Sequence, residues 1–317
     1  MWIAWCGVGV CLCLLAVAWV WRSAPSTAAT GANPPADARA EDAPPNSEAA
    51  SSTPQPPVAE QVIRYRYKVI KSYPHNTENY TQGLVYHDGF LYEGTGLYGQ
   101  SVLTKRRFTV ATSEPNGLPS DAAPTGELGE IVKQTRLPDR YFGEGITLFG
   151  DKIIQLTWRS RLGFAYDKET LRQTETFTYD TQGWGLTHDG TRLIMSDGTA
   201  TLRFLDPNTC AEIGLLHVRD EQRAIRQINE LEYIDGMIYA NIWPTDYIAI
   251  ISPQTGLVTG WIDLTGLHTP PPNHNNNVIP NGIAYLPENK HLLVTGKLWP
   301  KMFEIELVPQ ATPPDAP

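Results

Sequence analysis

The chain has 317 residues, with 25 Lys and Arg against 34 Asp and Glu and a net charge of -9 at pH 7. No basic stripe is available to neutralise phosphates, which excludes a general nucleic-acid binder. Of four cysteines, Cys6, Cys11 and Cys13 lie in an apolar leader and only Cys210 lies beyond it, so no disulfide can form within the folded part.

Residues 1–21 open the chain, and Trp2 to Trp21 carry no charged side chain. About 20 apolar residues suffice for a helix to cross a bilayer core. An N-terminal apolar helix is expected, serving as a membrane anchor or signal peptide, and with it a periplasmic or extracellular location. A secretory signal has a basic start and an apolar core of only ~7–15 residues, which favours the anchor. Arg22, the nearest basic residue, follows the run and argues against the usual orientation.

Residues 22–60 hold 8 Pro and 11 Ala and no aromatic residue. Such a segment cannot bury enough apolar surface to offset its ordering entropy, so a disordered linker is expected. Residues 61–309 change abruptly to Tyr, Trp, Ile, Val and Gly and form one domain, followed by a disordered tail at 310–317.

Within that domain a phrase recurs five times: a polar or aromatic residue, a Gly or its substitute, an apolar run, a turn and a second apolar run. The copies begin at Gln82-Gly83-Leu84, Glu144-Gly145-Ile146, Trp184-Gly185-Leu186, Asn229-Glu230-Leu231 and Asn281-Gly282-Ile283. Their second runs are Phe90 to Glu93, Ile153 to Gln155, Leu193 to Met195, Met237 to Tyr239 and Leu292 to Val294. Runs of this length, rich in Ile, Leu, Val and Tyr and parted by turns such as His87-Asp88-Gly89 and His188-Asp189-Gly190, predict hairpins. Only Glu221 to Arg226 suggests a short helix.

The copies are spaced by 62, 40, 45 and 52 residues, and the long first interval contains a Pro- and Gly-rich insertion at Ser113 to Gly126. Four-stranded propeller blades take ~40–45 residues each. The fold class is therefore all-β, a five-bladed β-propeller. Strand Ile63 to Lys71 is expected to complete the last blade.

Equivalent positions in such a ring converge on its axis. Gln82, Glu144, Trp184, Asn229 and Asn281 should face one another there, with a second ring of Glu93, Trp158, Asp197, Trp243 and Lys297. These vary from blade to blade while the flanking Gly and apolar residues persist, as at a site. His87 and His188 belong to turns, no His-x-His or His-Glu-x-x-His spacing exists for zinc, and Cys210 lacks an activating partner.

The motifs become specific in order. They run Tyr80-Thr81-Gln82-Gly83-Leu84, Glu93-Gly94-Thr95-Gly96, Phe142-Gly143-Glu144-Gly145, Thr157-Trp158, Gly183-Trp184-Gly185-Leu186 and Ser196-Asp197-Gly198-Thr199. Asn229-Glu230-Leu231, Ala240-Asn241-Ile242-Trp243, Asn281-Gly282-Ile283 and Thr295-Gly296-Lys297-Leu298-Trp299 complete the series. From about Val62 to Leu307 the chain resembles the glutaminyl-peptide cyclotransferases of plant and bacterial type. Tyr80 stands where that family usually has Phe, and the insertion at Ser113 to Gly126 is extra.

The resemblance implies conversion of N-terminal glutaminyl residues of peptides or proteins to pyroglutamyl with release of ammonia. It implies Glu144 as general acid/base, with Gln82, Phe142, Trp158, Trp184, Asn229, Trp243 and Lys297 around the substrate. No metal or other cofactor is expected to be required for the chemistry, though a structural calcium ion in the channel is compatible with it. A monomer is expected.

The residues suit that chemistry. Aromatic walls at Phe142, Trp158, Trp184 and Trp243 can fold a glutamine side chain back on its amine and hold an ammonium over a π face. Burial of Glu144 would raise its pKa toward the useful range. Gln82, Asn229 and Lys297 are the candidate donors to the developing oxyanion, and Asn281 completes the substrate ring. The same aromatics could instead be core, and Lys297 could instead pair with Glu93 or Asp197. A calcium-dependent lactonase-like propeller and a non-catalytic peptide-binding propeller remain as alternatives.

Overall fold

The computed structural model describes residues 62–110, 127–221, 223–270 and 277–310. All of them belong to the unit spanning residues 57–317. The expected apolar helix at 1–21, the linker at 22–60, the insertion at Ser113 to Gly126 and most of the tail lie outside the described residues.

Among the described residues every regular element is a strand. In chain order they begin with β1 (Ile63–Pro74), β2 (Thr81–His87), β3 (Phe90–Thr95), β4 (Val102–Thr109) and β5 (Glu127–Arg136). Next come β6 (Gly143–Phe149), β7 (Lys152–Thr157), β8 (Leu162–Asp167), β9 (Gln173–Thr178), β10 (Leu186–His188), β11 (Leu193–Met195), β12 (Thr201–Leu205) and β13 (Glu212–His217). A small hairpin of β14 (Arg219–Asp220) and β15 (Arg223–Ala224) follows. The series closes with β16 (Ile228–Ile234), β17 (Met237–Ile242), β18 (Tyr247–Ile251), β19 (Val258–Asp263), β20 (Pro280–Leu286), β21 (His291–Gly296) and β22 (Lys301–Pro309).

Three antiparallel sheets run β2-β3-β4-β5, β6-β7-β8-β9 and β10-β11-β12-β13. An eight-stranded sheet, β16-β17-β18-β19-β1-β22-β21-β20, is two such runs joined where β1 meets β19. The strands expected from the repeat are all present. β1 pairs antiparallel with β22, as the sequence led one to expect, and also parallel with β19 through Ile63, Arg64 and Tyr65. The helix suggested over Glu221 to Arg226 is replaced by the β14–β15 hairpin, because Arg219 pairs with Ala224 and Asp220 with Arg223.

The architecture is propeller-like. The first strands of the runs contact one another in a closed cycle, β2 to β6 to β10 to β16 to β20 and back to β2. Each apolar core cluster draws on two neighbouring runs. Tyr92 and Leu103 pack with Ile146, Ile153 and Phe164, and Ile154 and Leu156 pack with Leu186 and Leu193. Burying one such Leu or Ile side chain is worth roughly 1.5–3 kcal/mol.

The first strands approach so closely that bulk between them is not tolerated. A Cβ on Gly185 would stand 2.0 Å from the carbonyl oxygen of Asn229 on β16. Backbone groups at this inner edge have no further strand of their own run to pair with and find partners both across the gap and on side chains of their own run. Gly145 donates to the Trp184 carbonyl at 2.7 Å, and Gly185 donates to Ser196 Oγ at 2.7 Å. Glu230, which occupies the glycine position of the fourth copy, accepts from the Leu84 amide at 3.3 Å.

No helix among the described residues is long and apolar enough to cross a membrane. That corrects the membrane anchor expected at residues 1–21, together with the membrane partner and the periplasmic or extracellular location inferred from it. The segment that suggested them lies outside the described residues.

Gly185→Ala should destabilise the domain by about 1–3 kcal/mol, the usual cost of overpacking, because the obstacle is backbone and cannot rotate away. Urea unfolding followed by tryptophan emission measures it; an unchanged midpoint would mean that β10 and β16 can part freely.

Candidate active site

At the starts of the first strands lies a cavity of about 620 Å³. Its walls include Tyr80, Gln82, Phe142, Glu144, Trp158, Trp184, Asn229, Trp243 and Lys297. The volume lies within the roughly 300–1,000 Å³ usual for small-ligand sites.

Backbone irregularity aims the polar residues inward. The ladder slips between Thr81 and Gly83, Gly143 and Ile146, Ile228 and Leu231, and Pro280 and Ile283. Gln82, Glu144, Asn229 and Asn281 fall within these four bulges. A bulge leaves a residue out of the pairing and re-aims its side chain. The fifth copy reaches the same end differently, because β10 starts only at Leu186 and leaves Trp184 ahead of the strand.

Glu144 and Lys297 are 4 % and 5 % exposed. Burial pushes the Glu144 carboxyl well above the ordinary carboxylate range, with the Lys297 charge the one influence pulling it back. Burial likewise depresses the Lys297 ammonium to about 8 against the opposing pull of Glu144. Lys297 Nζ also stands 4.9 Å from the centre of the Tyr80 ring, a cation–π contact.

The aromatic walls are held by one another and by a shared amide. Phe142 meets Trp158 at 5.5 Å between ring centres and Tyr80 at 6.0 Å, while Trp184 stands edge-on to Trp243 at 6.2 Å. Gln182 Oε1 accepts from Trp158 Nε1 at 2.6 Å and from Trp184 Nε1 at 3.2 Å. Gly198, at φ +79, lets Trp184 lie flat, since a Cβ there would be 2.6 Å from the indole.

Asn281 is buried behind the wall and does not line the cavity. Its Nδ2 donates to the Thr81 carbonyl at 2.9 Å and to Gln82 Oε1 at 2.8 Å. The Gln82 carbonyl is thereby engaged, and its Nε2 is left to donate into the cavity.

Two residues of the second ring also turn away. Glu93 accepts from His75 Nε2 at 2.8 Å, Asn79 Nδ2 at 2.8 Å and Thr81 Oγ1 at 2.7 Å. Burial alone would raise the Glu93 carboxyl, but the His75 charge and these hydrogen bonds hold it below its ordinary value. Asp197 accepts from Arg203 Nε at 3.0 Å and from the Thr199 amide at 3.0 Å. The reason is register: Trp158, Trp243 and Lys297 each directly follow the last residue of β7, β17 and β21, whereas Glu93 lies two residues inside the end of β3. Gly96 is the true counterpart in the first copy. Glu144 is thus the one carboxylate among the described residues that line the cavity, and the alternative partners of Lys297 are engaged elsewhere.

Sequence reasoning missed wall residues Tyr80, Gln182 and Gln227, as well as Leu97, Arg159 and Asn277. The first three stand two positions before Gln82, Trp184 and Asn229, just as Phe142 stands two before Glu144. Extending the repeat two residues upstream, into the segment that leads to each first strand, would have found them.

Among the described residues no group of three or more His, Cys, Asp and Glu is arranged to hold a metal ion. In the channel below the cavity, burial raises the carboxyls of Glu230 and Glu232, the latter to about 8. Glu230 Oε2 is buried without a hydrogen-bond partner.

Residues 44–307 match the glutamine cyclotransferase family. The chain is 38% identical over 244 residues to the glutaminyl-peptide cyclotransferase of Arabidopsis thaliana, covering 76% of this chain and 71% of that one. It is similar in structure to the glutaminyl cyclase of Myxococcus xanthus, with a TM-score of 0.65 and 33% identity over 79% of this chain and 100% of that one.

Replacing Lys297 with Met removes the charge that opposes the rise of the Glu144 pKa, so the carboxyl should titrate at higher pH than in the parent. Infrared difference spectra of the protonated carboxyl band, with Glu144→Gln as the blank, measure this; a midpoint that stays or falls contradicts the coupling.

Proposed function

We propose that in this chain, which belongs to the glutamine cyclotransferase family, Glu144 carries the proton transfers at the axial mouth of a five-bladed propeller. The family's reaction is the conversion of an N-terminal glutaminyl residue to pyroglutamyl with release of ammonia. Five four-strand runs and the closed cycle of first strands support the blade count. One observation carries the site assignment: a carboxyl and an ammonium, both buried and coupled, sit among four aromatic walls.

The substrate enters as an ammonium with a pKa of ~8. Phe142, Trp158, Trp184 and Trp243 exclude extended side-chain rotamers, bringing the amine to the carboxamide carbon and removing much of the entropic barrier. Glu144, ionised, takes a proton from the ammonium. The free amine attacks the carboxamide carbon, and the new C–N bond closes the ring.

Negative charge develops on the former carboxamide oxygen, where Gln82 Nε2, Asn229 and Lys297 supply donors. Such a donor is typically worth about 3–4 kcal/mol in a water-excluded site. The ring nitrogen gives up its second proton, the old C–N bond breaks, and protonated Glu144 returns a proton to the leaving nitrogen, which departs as ammonia. Of the two protons lost by the ammonium, one leaves with the ammonia and the other passes to solvent. A raised carboxyl pKa suits a group that must both accept and donate near neutrality.

Side chains alone perform these steps. Glu230 and Glu232 are the carboxyls that would hold a structural calcium ion in the channel, and the orphaned Oε2 of Glu230 fits that role; burial raises both, so binding an ion there would have to ionise them. Such an ion would brace the first strands and take no part in proton transfer.

Glu144→Gln should retain the fold and lose ~10²–10⁴ in kcat, the scale of general acid–base catalysis. The assay is ammonia release from a Gln-initiated peptide, with an α-amine-blocked peptide as the inert control; near-normal turnover would remove Glu144 from the mechanism. Lys297 is cationic only below its pKa, so kcat should also decline as pH rises through about 8, and a Lys297→Met variant should lack that limb. A limb that persists in the variant assigns it to another group.

A further inference from the structure

Arg159 stands at the mouth of the cavity and has no part in the chemistry above. It is exposed, yet its guanidinium carbon lies 3.8 Å from the centre of the Trp158 ring. That indole is itself fixed, because Nε1 donates to Gln182 Oε1, which also accepts from Trp184. The guanidinium therefore sits over the face of a fixed ring.

No carboxylate competes for it. None of the ion pairs among the described residues includes Arg159. The other polar groups around the mouth are neutral amides, Gln182, Gln227 and Asn277. Glu144 and Lys297 lie buried at the base, occupied with the glutaminyl end of the substrate. The rest of the peptide must leave through the mouth, past Arg159.

We infer that Arg159 selects substrates carrying a carboxylate just after the N-terminal glutamine, either an Asp or Glu side chain or the free C-terminus of a short peptide. The inference rests on the reaction assigned above. A planar guanidinium offers paired N–H donors matched to a carboxylate, and stacking on an aromatic face fixes it beforehand. Less side-chain entropy is then lost on binding than for an ordinary exposed cation, whose pairings are worth little. The preference is local. The chain's net charge of -9 repels acidic peptides at a distance, and that repulsion is screened beyond ~8–10 Å at physiological salt.

The test compares C-terminally amidated peptides that differ only in the second residue, Gln-Glu against Gln-Lys, and a Gln-Ala dipeptide with free or amidated C-terminus. Preference is read as a ratio of kcat/KM for ammonia release and, independently, as a ratio of Kd in a Glu144→Gln background. The parent should favour the carboxylate-bearing member by about 3–10-fold, mostly in KM, and added salt should reduce the ratio. Arg159→Gln should bring it near one, Arg159→Glu should invert it, and Arg159→Lys should leave an intermediate value. The first peptide pair reports the side chain as the source of the carboxylate and the dipeptide reports the terminus. Ratios unaffected by Arg159→Glu, or no preference in the parent, overturn the inference. A charge preference in Kd that depends on Arg159, without ammonia release, would uphold it and count instead against the assigned reaction.

Discussion

The fold and the site both depend on how five strand edges meet at the axis. A strand at the inside of a run has no further strand to pair with, and its neighbours around the axis belong to other runs. Unpaired buried amides and carbonyls are costly, so each must find an irregular partner. Ser196, Asn241 and Glu230 supply some of them: Asn241 Oδ1 accepts from the Gly282 amide at 3.1 Å, as Ser196 and Glu230 do for Gly185 and Leu84. The bulges that break the ladder to allow this are the same ones that turn Gln82, Glu144 and Asn229 into the cavity. Closing the ring and furnishing the site are one structural event.

Against that frame, the Glu144 and Lys297 pair is poorly explained by stability. Burying a carboxyl and an ammonium incurs a desolvation penalty that their mutual attraction offsets only in part. Burial accordingly raises the Glu144 carboxyl and lowers the Lys297 ammonium. The His75 and Glu93 pair shows the contrast. Three hydrogen bonds saturate Glu93, its pKa falls, and it serves to tie the segment preceding β2 to β3. Two buried carboxyls thus have opposite characters, decided by the neighbouring charge and hydrogen-bond partners and not by depth.

Much of this was legible in the sequence, for a physical reason. Each unit must bury its apolar face on the next, so the apolar positions persist, and Gly with them in four of the five copies, and the varying residue beside them stands out. That contrast picked out Gln82, Glu144, Trp184 and Asn229. The second ring was misaligned at Glu93 by three residues: the turns after His87, Phe149 and Ile234 are equally long, and Gly96 stands as far beyond its turn as Trp158 and Trp243 do beyond theirs. Gln182 and Gln227 escaped because they precede the motif and look like loop, while Tyr80, inside its motif, stood out only as a departure from the family's usual Phe. Asn281 shared the sequence signature of a site residue, yet it braces Gln82 from behind, a distinction that needs side-chain direction. The apolar leader led to a membrane location that the described residues do not support.

Strand β1 lies between β19 and β22, so the first and last strands of the domain are knitted into one sheet. During synthesis β1 emerges first and waits for partners nearly two hundred residues or more downstream. Until they arrive the ring stands open and the Glu144 wall lacks Lys297 opposite it. Pairings so remote in sequence carry a high contact order and slow the search for the native state. The enzyme is accordingly a latecomer to its own activity: no nascent fragment can begin catalysis before the C-terminal strands have left the ribosome.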